Sequence, residues 1–324
     1  LKAIQFEEYG GPEVLKAIDT EKPEPAGRQV LIEVKAVGVN YADTARREGQ
    51  YVVPTPLPFI PGAEIAGIVK EIGPGVKSVK ECDRVVTLIS SNGYAEYALA
   101  DERTLVPLPE EVDFTYGAAI LLQGLTAYHV LKTSGQLQEG ETVLIHAGAG
   151  GVGSIAIQLA KIFGAGKVIA TASSEEKRQF AKDLGADVVI DYTKEGWEKE
   201  LDKATDGKGV DVALEMVGGE VFSKTLAAMA PFGRVVVYGK AGNEQPNLNP
   251  VMLMGKNHTV TGFFLPQIMR KPDLYSRSLG ELLKFIQEGR VKLTIGGTYP
   301  LEEAAKVHEL LQSRATKGKL VLEP

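Results

Sequence analysis

The chain has 324 residues, 44% of them hydrophobic and 24% charged, the balance of an ordinary globular protein with one large domain or two smaller ones. A net charge of −6 without any Lys/Arg block argues against nucleic acid as a partner, and no apolar run approaches the ~20 residues of a membrane span. The single cysteine, Cys82, rules out an internal disulfide, and the four histidines stand at no metal-ligand spacing, so no metal site is expected.

The opening LKAIQFEEYGG lacks the basic-then-apolar pattern of a secretory signal. It also lacks an initiating Met, so removal of a few leading residues is expected, and a cytoplasmic location. Residues 29–99 read as a β-rich module with turn signals about every ten residues. VLIEVKAVGVN (30–40) alternates as a strand does. EIAGIVKEIGPGV (64–76) reads as two apolar runs bent by a Gly-Pro-Gly turn, and DRVVTL (83–88) and GYAEYALA (93–100) come next. PTPLPFIPG (54–62) holds four prolines and is neither helix nor central strand.

The pattern changes near Phe114. TYGAAILLQGLTAYHVL (115–131) reads as one helix. Six short runs rich in Val and Ile then alternate with amphipathic helices: TVLIH (142–146), KVIATA (167–172), VVID (188–191), VDVALEMVG (210–218), RVVVYG (234–239) and TVTGFF (259–264). This is the signature of a parallel sheet covered on both faces. Helices over 279–287 and 301–313 and a last strand, GKLVLEP (318–324), close the chain. The fold class is α/β, a doubly wound parallel six-stranded Rossmann sheet beside a β module.

HAGAGGVG (146–153) contains G-x-G-x-x-G at Gly148, Gly150 and Gly153. It comes after a predicted strand and opens a predicted helix, the setting in which the pattern means dinucleotide binding. Gly148 permits the tight turn, Gly150 the approach of a pyrophosphate, and Gly153 close packing of helix on sheet. The first-turn N–H groups, at Gly151 and Val152 among others, then face the phosphates. The competing reading is a plain strand-to-helix turn.

NAD binders usually place an acid at the end of the second strand. Here Ala172 stands there, with Ser173, Ser174, Lys177 and Arg178 after it. Hydroxyls and a cation suit a 2′-phosphate, which favours NADPH over NADH. The alternative for Lys177 and Arg178 is a solvated helix face paired with Glu175 and Glu176. His146 reads as a structural hydrogen-bonder.

VGVNYADTARREGQY, PGAEIAGIVKEIGPGV, DRVV, GLTAY, HAGAGGVG and SRATKGKLVLEP, in this order, span essentially the whole chain. Together they resemble the NADPH-dependent quinone oxidoreductases, the zeta-crystallin-like, zinc-free branch of the medium-chain dehydrogenase/reductase superfamily. The resemblance implies a GroES-like catalytic and substrate domain from residues 1–123 with 263–324. It implies a Rossmann NADPH-binding domain at 124–262, the nicotinamide in the cleft between them, and a homodimer or homotetramer through 259–264. The zinc dehydrogenases of the superfamily carry Cys where this chain has Asn40 and His where it has Ala63, and a four-cysteine lobe that is absent here. Without a Lewis acid, the fitting acceptor already spreads incoming charge over a conjugated system, as a quinone does.

The same resemblance assigns candidate residues. Asn40, Tyr51 and Thr126 are the candidate catalytic residues, with Asn40 and Thr126 beside the nicotinamide and Tyr51 lining the substrate cleft. Each has a plainer alternative as a turn residue, a half-buried tyrosine or a helix threonine bonding its own turn. Asp43 is assigned either to the cofactor ribose or to an N-cap. Lys177 and Tyr192 flank the 2′-phosphate and adenine, and Arg314 closes on the phosphate end. Tyr238 and Gly239 end the fifth strand, and Val217, Phe263 and Phe264 are assigned to the nicotinamide pocket, with core or interface packing as the alternative for the phenylalanines. Ala45, Cys82 and Lys240 depart from the family pattern. The alternative activity is an enone, alkenal or enoyl-thioester reductase, with RREGQ (46–50) as a basic mouth. An alternative of another class is a non-catalytic, crystallin-like NADPH-binding protein.

Overall fold

The six Val- and Ile-rich runs pair into one sheet. Across it lie Val188–Ile190, Lys167–Thr171, Thr142–Ile145, Val210–Glu215, Met229–Val237 and Thr259–Gly262, and every neighbouring pair is parallel. The chain starts at mid-sheet, winds to one edge, then returns to build the other half. The order reverses between Thr142–Ile145 and Val210–Glu215, the switch point at which such sheets bind ligands. Central residues Val143, Leu144, Ile145, Val168, Ile169, Val212, Ala213 and Leu214 are fully buried, as helices on both faces require. His146, also buried, bonds Thr171 Oγ1 at 3.0 Å and Thr225 Oγ1 at 2.8 Å, tying the first strand to the second and to the helix Gly219–Ala227.

The computed structural model describes residues 1–242 and 244–324. They form two compact units, Gln123–Leu293 and Leu1–Leu122 with Thr294–Pro324. The second boundary differs from the expected 262/263 because the helix Pro272–Gln287 packs back onto the helix Leu121–His129. A Cβ on Gly124 would lie 2.7 Å from Leu282 Cδ2. Ser278 Oγ meets His129 Nε2 at 2.9 Å, and Tyr128 donates to Glu281 at 2.6 Å. The helix expected over 115–131 is instead Phe114–Gly117, a turn, Leu121–His129, and a π-helical end at Val130–Ser134. The break at 118–120 comes just before the unit boundary, which falls between Leu122 and Gln123 in the first turn of the second helix. The fifth strand begins at Met229 rather than 234, and Phe232 takes a left-handed φ of 63° within it.

The other unit is built on the long strand Gln29–Val39. Its sheet runs Ile295–Pro300, Lys319–Glu323, Gln29–Val39, Glu64–Ile72, Arg84–Leu88, Val106–Pro107, with Tyr97–Asp101 also paired to the long strand. The C-terminal strand thus closes onto the N-terminal module, with Leu320 opposite Val39. Glu64–Ile72 is a single strand. It runs into a turn in which Gly73 and Gly75 donate to Gln29 O and Gly27 O at 2.8 Å each, so the second apolar run expected there is not a strand. Cys82 is exposed at φ 72°, a left-handed turn that favours glycine. Among the described residues no helix is long and apolar enough to cross a membrane.

Candidate functional site

The glycine turn lies at the C-terminal end of Thr142–Ile145 and opens the helix Gly151–Ile162. Its left-handed residue is Ala147, φ 51°. Gly148 is small for a packing reason: a Cβ there would lie 2.8 Å from Ala170 Cβ on the next strand. Gly153 lets the helix sit on the turn, since its Cβ would come within 2.2 Å of Ala147 O. A Cβ on Gly151 would meet Gln123 Oε1 at 2.1 Å. Gln123 is 3% exposed and is not marked out by the sequence patterns; a polar residue inside the apolar run LLQGL is the one available signal. Gly150 differs from the others, because its Cβ would approach only Ala147, at 3.2 Å from O. Ser154 is the first residue to close onto the helix, donating to Gly150 O at 2.9 Å. The N–H groups of Gly151, Val152 and Gly153 precede it, as first-turn donors do.

The second strand, Lys167–Thr171, ends at buried Ala172 and half-buried Ser173. Ser174 caps the helix Glu175–Asp183, accepting from Lys177 N. Lys177 is half-buried. Arg178 is committed to the protein: it bonds Ala172 O at 3.3 Å, Glu175 at 2.8 Å and Asp191 at 3.0 Å. Tyr192 is half-buried against the sheet core. Val217 comes after the strand Val210–Glu215 in a turn organised by Glu215. Fully buried, this carboxylate accepts from Val217 N at 2.8 Å and Gly218 N at 3.1 Å. Burial pushes its pKa up and those backbone donors oppose the rise. Tyr238 donates its N–H to Glu215 O at 3.1 Å, and burial, then the Glu215 charge, raises its phenol. Gly239 is exposed beside it. Phe263 lies stacked on His129, ring centroids 6.2 Å apart. Phe264 caps the short helix Leu265–Met269. Thr126 is buried on Leu121–His129.

In the unit of Leu1–Leu122 with Thr294–Pro324, Asn40 ends the long strand and caps the helix Tyr41–Arg47. It is 7% exposed. Its Oδ1 accepts from Lys319 Nζ at 2.6 Å, and its Nδ2 donates to Gly38 O at 3.0 Å. Lys319 also bonds Glu64 Oε2 at 2.6 Å, and Glu64 Oε1 accepts from Leu122 N at 2.9 Å. Lys319 and Glu64 are 2% and 0% exposed. Both stand in motifs that carry the family resemblance, yet neither is assigned a role there, because only the strand register brings them together.

Asp43 does not reach a surface that a ribose could share. At 1% exposed it accepts from Asn40 N at 2.9 Å, Gly62 N at 3.3 Å and Tyr94 OH at 3.4 Å. It closes the turn, and burial raises its pKa to about 6. The network continues from Tyr94 to His308 Nε2 at 2.9 Å, from His308 Nδ1 to Arg47 at 3.1 Å, and from Arg47 to Glu48 at 2.7 Å and Gln312 at 2.9 Å. An arginine only donates, so His308 Nδ1 accepts, Nε2 carries the proton, and Tyr94 is left to donate to Asp43. Tyr51 is half-buried under the Arg46 guanidinium, 4.2 Å from the ring centroid. Burial raises its pKa, with Arg46 opposing. Arg46 also lies 5.3 Å from the Phe59 ring and donates to Thr55 Oγ1 at 3.3 Å. The first cation of RREGQ is therefore spent on aromatic faces. Arg314 is exposed at φ 58°, and its charge reaches Tyr41.

The alcohol dehydrogenase GroES-like domain family matches residues 26–110, and the zinc-binding dehydrogenase family matches residues 151–287. The donor set does not fit the zinc that this second family name implies. Ala63 offers no ligand, Asn40 and Glu64 are both held by the Lys319 ammonium, and a metal cation there would face that charge. No group of three or more His, Cys, Asp or Glu able to hold a metal occurs among the described residues. Quinone oxidoreductase of Rattus norvegicus is 38% identical over 99% of this chain and 97% of its own length. Quinone oxidoreductase 1 of Escherichia coli is 37% identical over 99% of each. Among solved structures, Escherichia coli quinone oxidoreductase complexed with NADPH superposes with a TM-score of 0.95 at 35% identity, covering 100% of both chains. A mycobacterial protein complexed with NADPH gives 0.94 at 37%, again over 100% of both. With more than a third of its residues shared across the full length of such relatives, the chain belongs to the quinone oxidoreductase family of the medium-chain dehydrogenase/reductase superfamily.

Proposed function

We propose that this protein is a zinc-independent NADPH:quinone oxidoreductase that transfers hydride from NADPH to a quinone or a similar conjugated acceptor. The observation that carries the reading is the glycine turn at the sheet's switch point, in a chain that is similar over its full length to quinone oxidoreductases, one of them solved with NADPH. When bound, NADPH supplies the hydride. The chain's own part is positioning. The first-turn N–H groups at Gly151, Val152 and Gly153 hold the pyrophosphate, with Gly148 and Gly150 leaving it room. Ser173 and Lys177 take the 2′-phosphate, and Tyr192 flanks the adenine. Val217, Tyr238, Gly239, Phe263 and Thr126 line the nicotinamide end. Asn40 and Tyr51 offer an amide and a phenol to a carbonyl oxygen whose charge grows during reduction. Arg314 closes on the phosphate end.

A conjugated acceptor needs no Lewis acid, which agrees with a donor set already filled by an ammonium. The reading includes a cytoplasmic enzyme that assembles as a homodimer or homotetramer. In support, Thr259–Gly262 is an edge strand of its sheet, and the helical turn Pro250–Lys256 before it leaves Val251, Met252 and Met254 exposed.

The test is loss of NADPH absorbance with EDTA-treated protein and 1,4-benzoquinone, run beside crotonyl-CoA. Quinone turnover that survives EDTA is expected. Turnover of crotonyl-CoA alone would move the protein to the enoyl-thioester reductases, and tight NADPH binding without turnover would make it a binding protein. Lys177→Ala is expected to weaken NADPH binding about ten-fold or more, the worth of one charge-assisted hydrogen bond. NADH affinity should stay nearly constant, and equal losses for both cofactors would remove Lys177 from the 2′-phosphate.

A further inference from the structure

We propose that Lys319 is a positioning residue that fixes the polarity of Asn40, so that Asn40 meets its ligand as a hydrogen-bond donor and selects a carbonyl-type oxygen there. The inference rests on the reading of Asn40 as a residue beside the reacting ligands.

The argument begins with strand register. Leu320 lies opposite Val39 in an antiparallel pair, which sets Lys319 opposite Asn40. Val37 lies opposite Ile65, also antiparallel, which sets Glu64 opposite Gly38. Residues 38 and 40 share a face of the strand, because side chains alternate with a period of two. One face therefore carries Asn40, Lys319, Glu64 and a glycine. The glycine is required by space: a Cβ on Gly38 would lie 2.2 Å from Ala118 O, 2.6 Å from Lys319 Cε and 2.8 Å from Glu64 Oε2.

Chemistry then sets the direction of the amide. An ammonium has three donors and no acceptor. Its contact at 2.6 Å with the Asn40 side chain must therefore be to Oδ1. The amide nitrogen is turned the other way, where one hydrogen goes to Gly38 O at 3.0 Å. With Oδ1 turned to the ammonium, the group Asn40 turns away from the clamp toward a ligand is the second N–H. The ammonium also pulls electron density toward Oδ1, which makes that N–H the better donor in a site of low dielectric. A group presenting its own N–H to Asn40 would meet a like donor. Glu64 balances the ammonium and is itself fixed by Leu122 N, so the clamp stays buried without a net charge.

The experiment is a double-mutant cycle between the clamp and Asn40, using NADPH-dependent quinone reduction and NADPH affinity on the purified full chain. The clamp is removed as Lys319→Met with Glu64→Gln, which leaves no orphaned buried charge. In the presence of Asn40 this pair of changes is expected to lower kcat/KM about ten-fold, the worth of one well-placed donor. In an Asn40→Ala background it is expected to cost less than about two-fold, since the residue it serves is gone. The same loss in both backgrounds, or no loss with Asn40 present, would overturn the proposal and reduce Lys319 to a fold residue.

Coupling that appears in NADPH affinity assigns the acceptor oxygen to the cofactor carboxamide. Coupling confined to the quinone kcat/KM assigns it to the quinone. Should the paired change fail to fold, Lys319→Arg decides: it keeps a donor-only cation and is expected to retain kcat/KM within about three-fold. A ten-fold loss in folded Lys319→Arg would count against the proposal. Wild-type protein that binds NADPH but reduces no quinone would remove the functional reading alone. The same cycle in NADPH affinity then decides the inference, with coupling in its favour and additivity against it.

Discussion

Gly150→Val is expected to abolish measurable binding of NADPH and NADH alike while leaving the thermal midpoint close to that of the parent. Gly150 caps the helix Gly151–Ile162 with φ −76° and ψ 175°, an extended backbone that any residue adopts. Its Cβ would press only on Ala147 O, at 3.2 Å, which a shift of a few tenths of an ångström relieves. The isopropyl group would then fill the open side of the turn, in front of the first-turn N–H groups. Losing two charge-assisted bonds to a pyrophosphate costs about 3–6 kcal/mol, or more than a hundred-fold in affinity. Gly153→Val is the contrasting variant. Its Cβ would lie 2.2 Å from Ala147 O and 2.9 Å from Gly148 Cα, so it should lower stability as well as binding. Calorimetric titration and a thermal melt on each separate the two effects. NADPH affinity unchanged in folded Gly150→Val would leave the turn with a packing role only.

A steep loss of stability between pH 6.5 and about 4 is the second large effect expected. Three histidines are buried and neutral. Burial lowers His146 and His129 to about 4 each, and burial aided by Arg47 lowers His308 to about 3. In the unfolded chain they titrate near 6.5. A depressed folded pKa gives stability that is complete above the unfolded value and is lost as pH falls through the folded one. Across that window the unfolded chain binds up to three more protons from these groups. Asp43 works the other way. Raised to about 6, it takes a proton in the folded state first and offsets one of the three, and Glu215, also raised, acts in the same sense lower down. Two net protons correspond to about 2.7 kcal/mol per pH unit, or at most about 7 kcal/mol by pH 4, which reaches the lower end of the ~5–15 kcal/mol of a typical domain. Urea midpoints measured from pH 7 to pH 4.5 should fall continuously. A flat profile over this range would mean that the three imidazoles accept protons without unfolding the chain.

How far each part can be read from sequence depends on the range of the interaction behind it. The six Rossmann strands are legible because each is a short Val/Ile run between turn residues, and a sheet buried on both faces needs nothing more. The glycine turn is legible as a unit, because its neighbours in space are its neighbours in sequence. The role of each glycine is not. Gly148 is small on account of Ala170, and Gly151 on account of Gln123, both more than twenty residues away. The boundary expected at 262/263 missed the helix Pro272–Gln287, whose docking onto Leu121–His129 depends on Leu282 meeting a glycine 158 positions earlier.

The candidate site divides in the same way. Local pattern by itself determined the α/β class, the glycine turn and the absence of an acid after the second strand. Periodicity, turn chemistry and residue type act over a few positions and survive without any tertiary contact. Only the tertiary structure decided that Asp43 is sealed within a hydrogen-bonded network, that Arg46 lies on Tyr51, and that Lys319 stands against Asn40 and Glu64. Those are matters of strand register and burial. Register depends on which of many hydrophobic pairings excludes most water, and a buried charge is tolerated only where its partner arrives from a distant part of the chain.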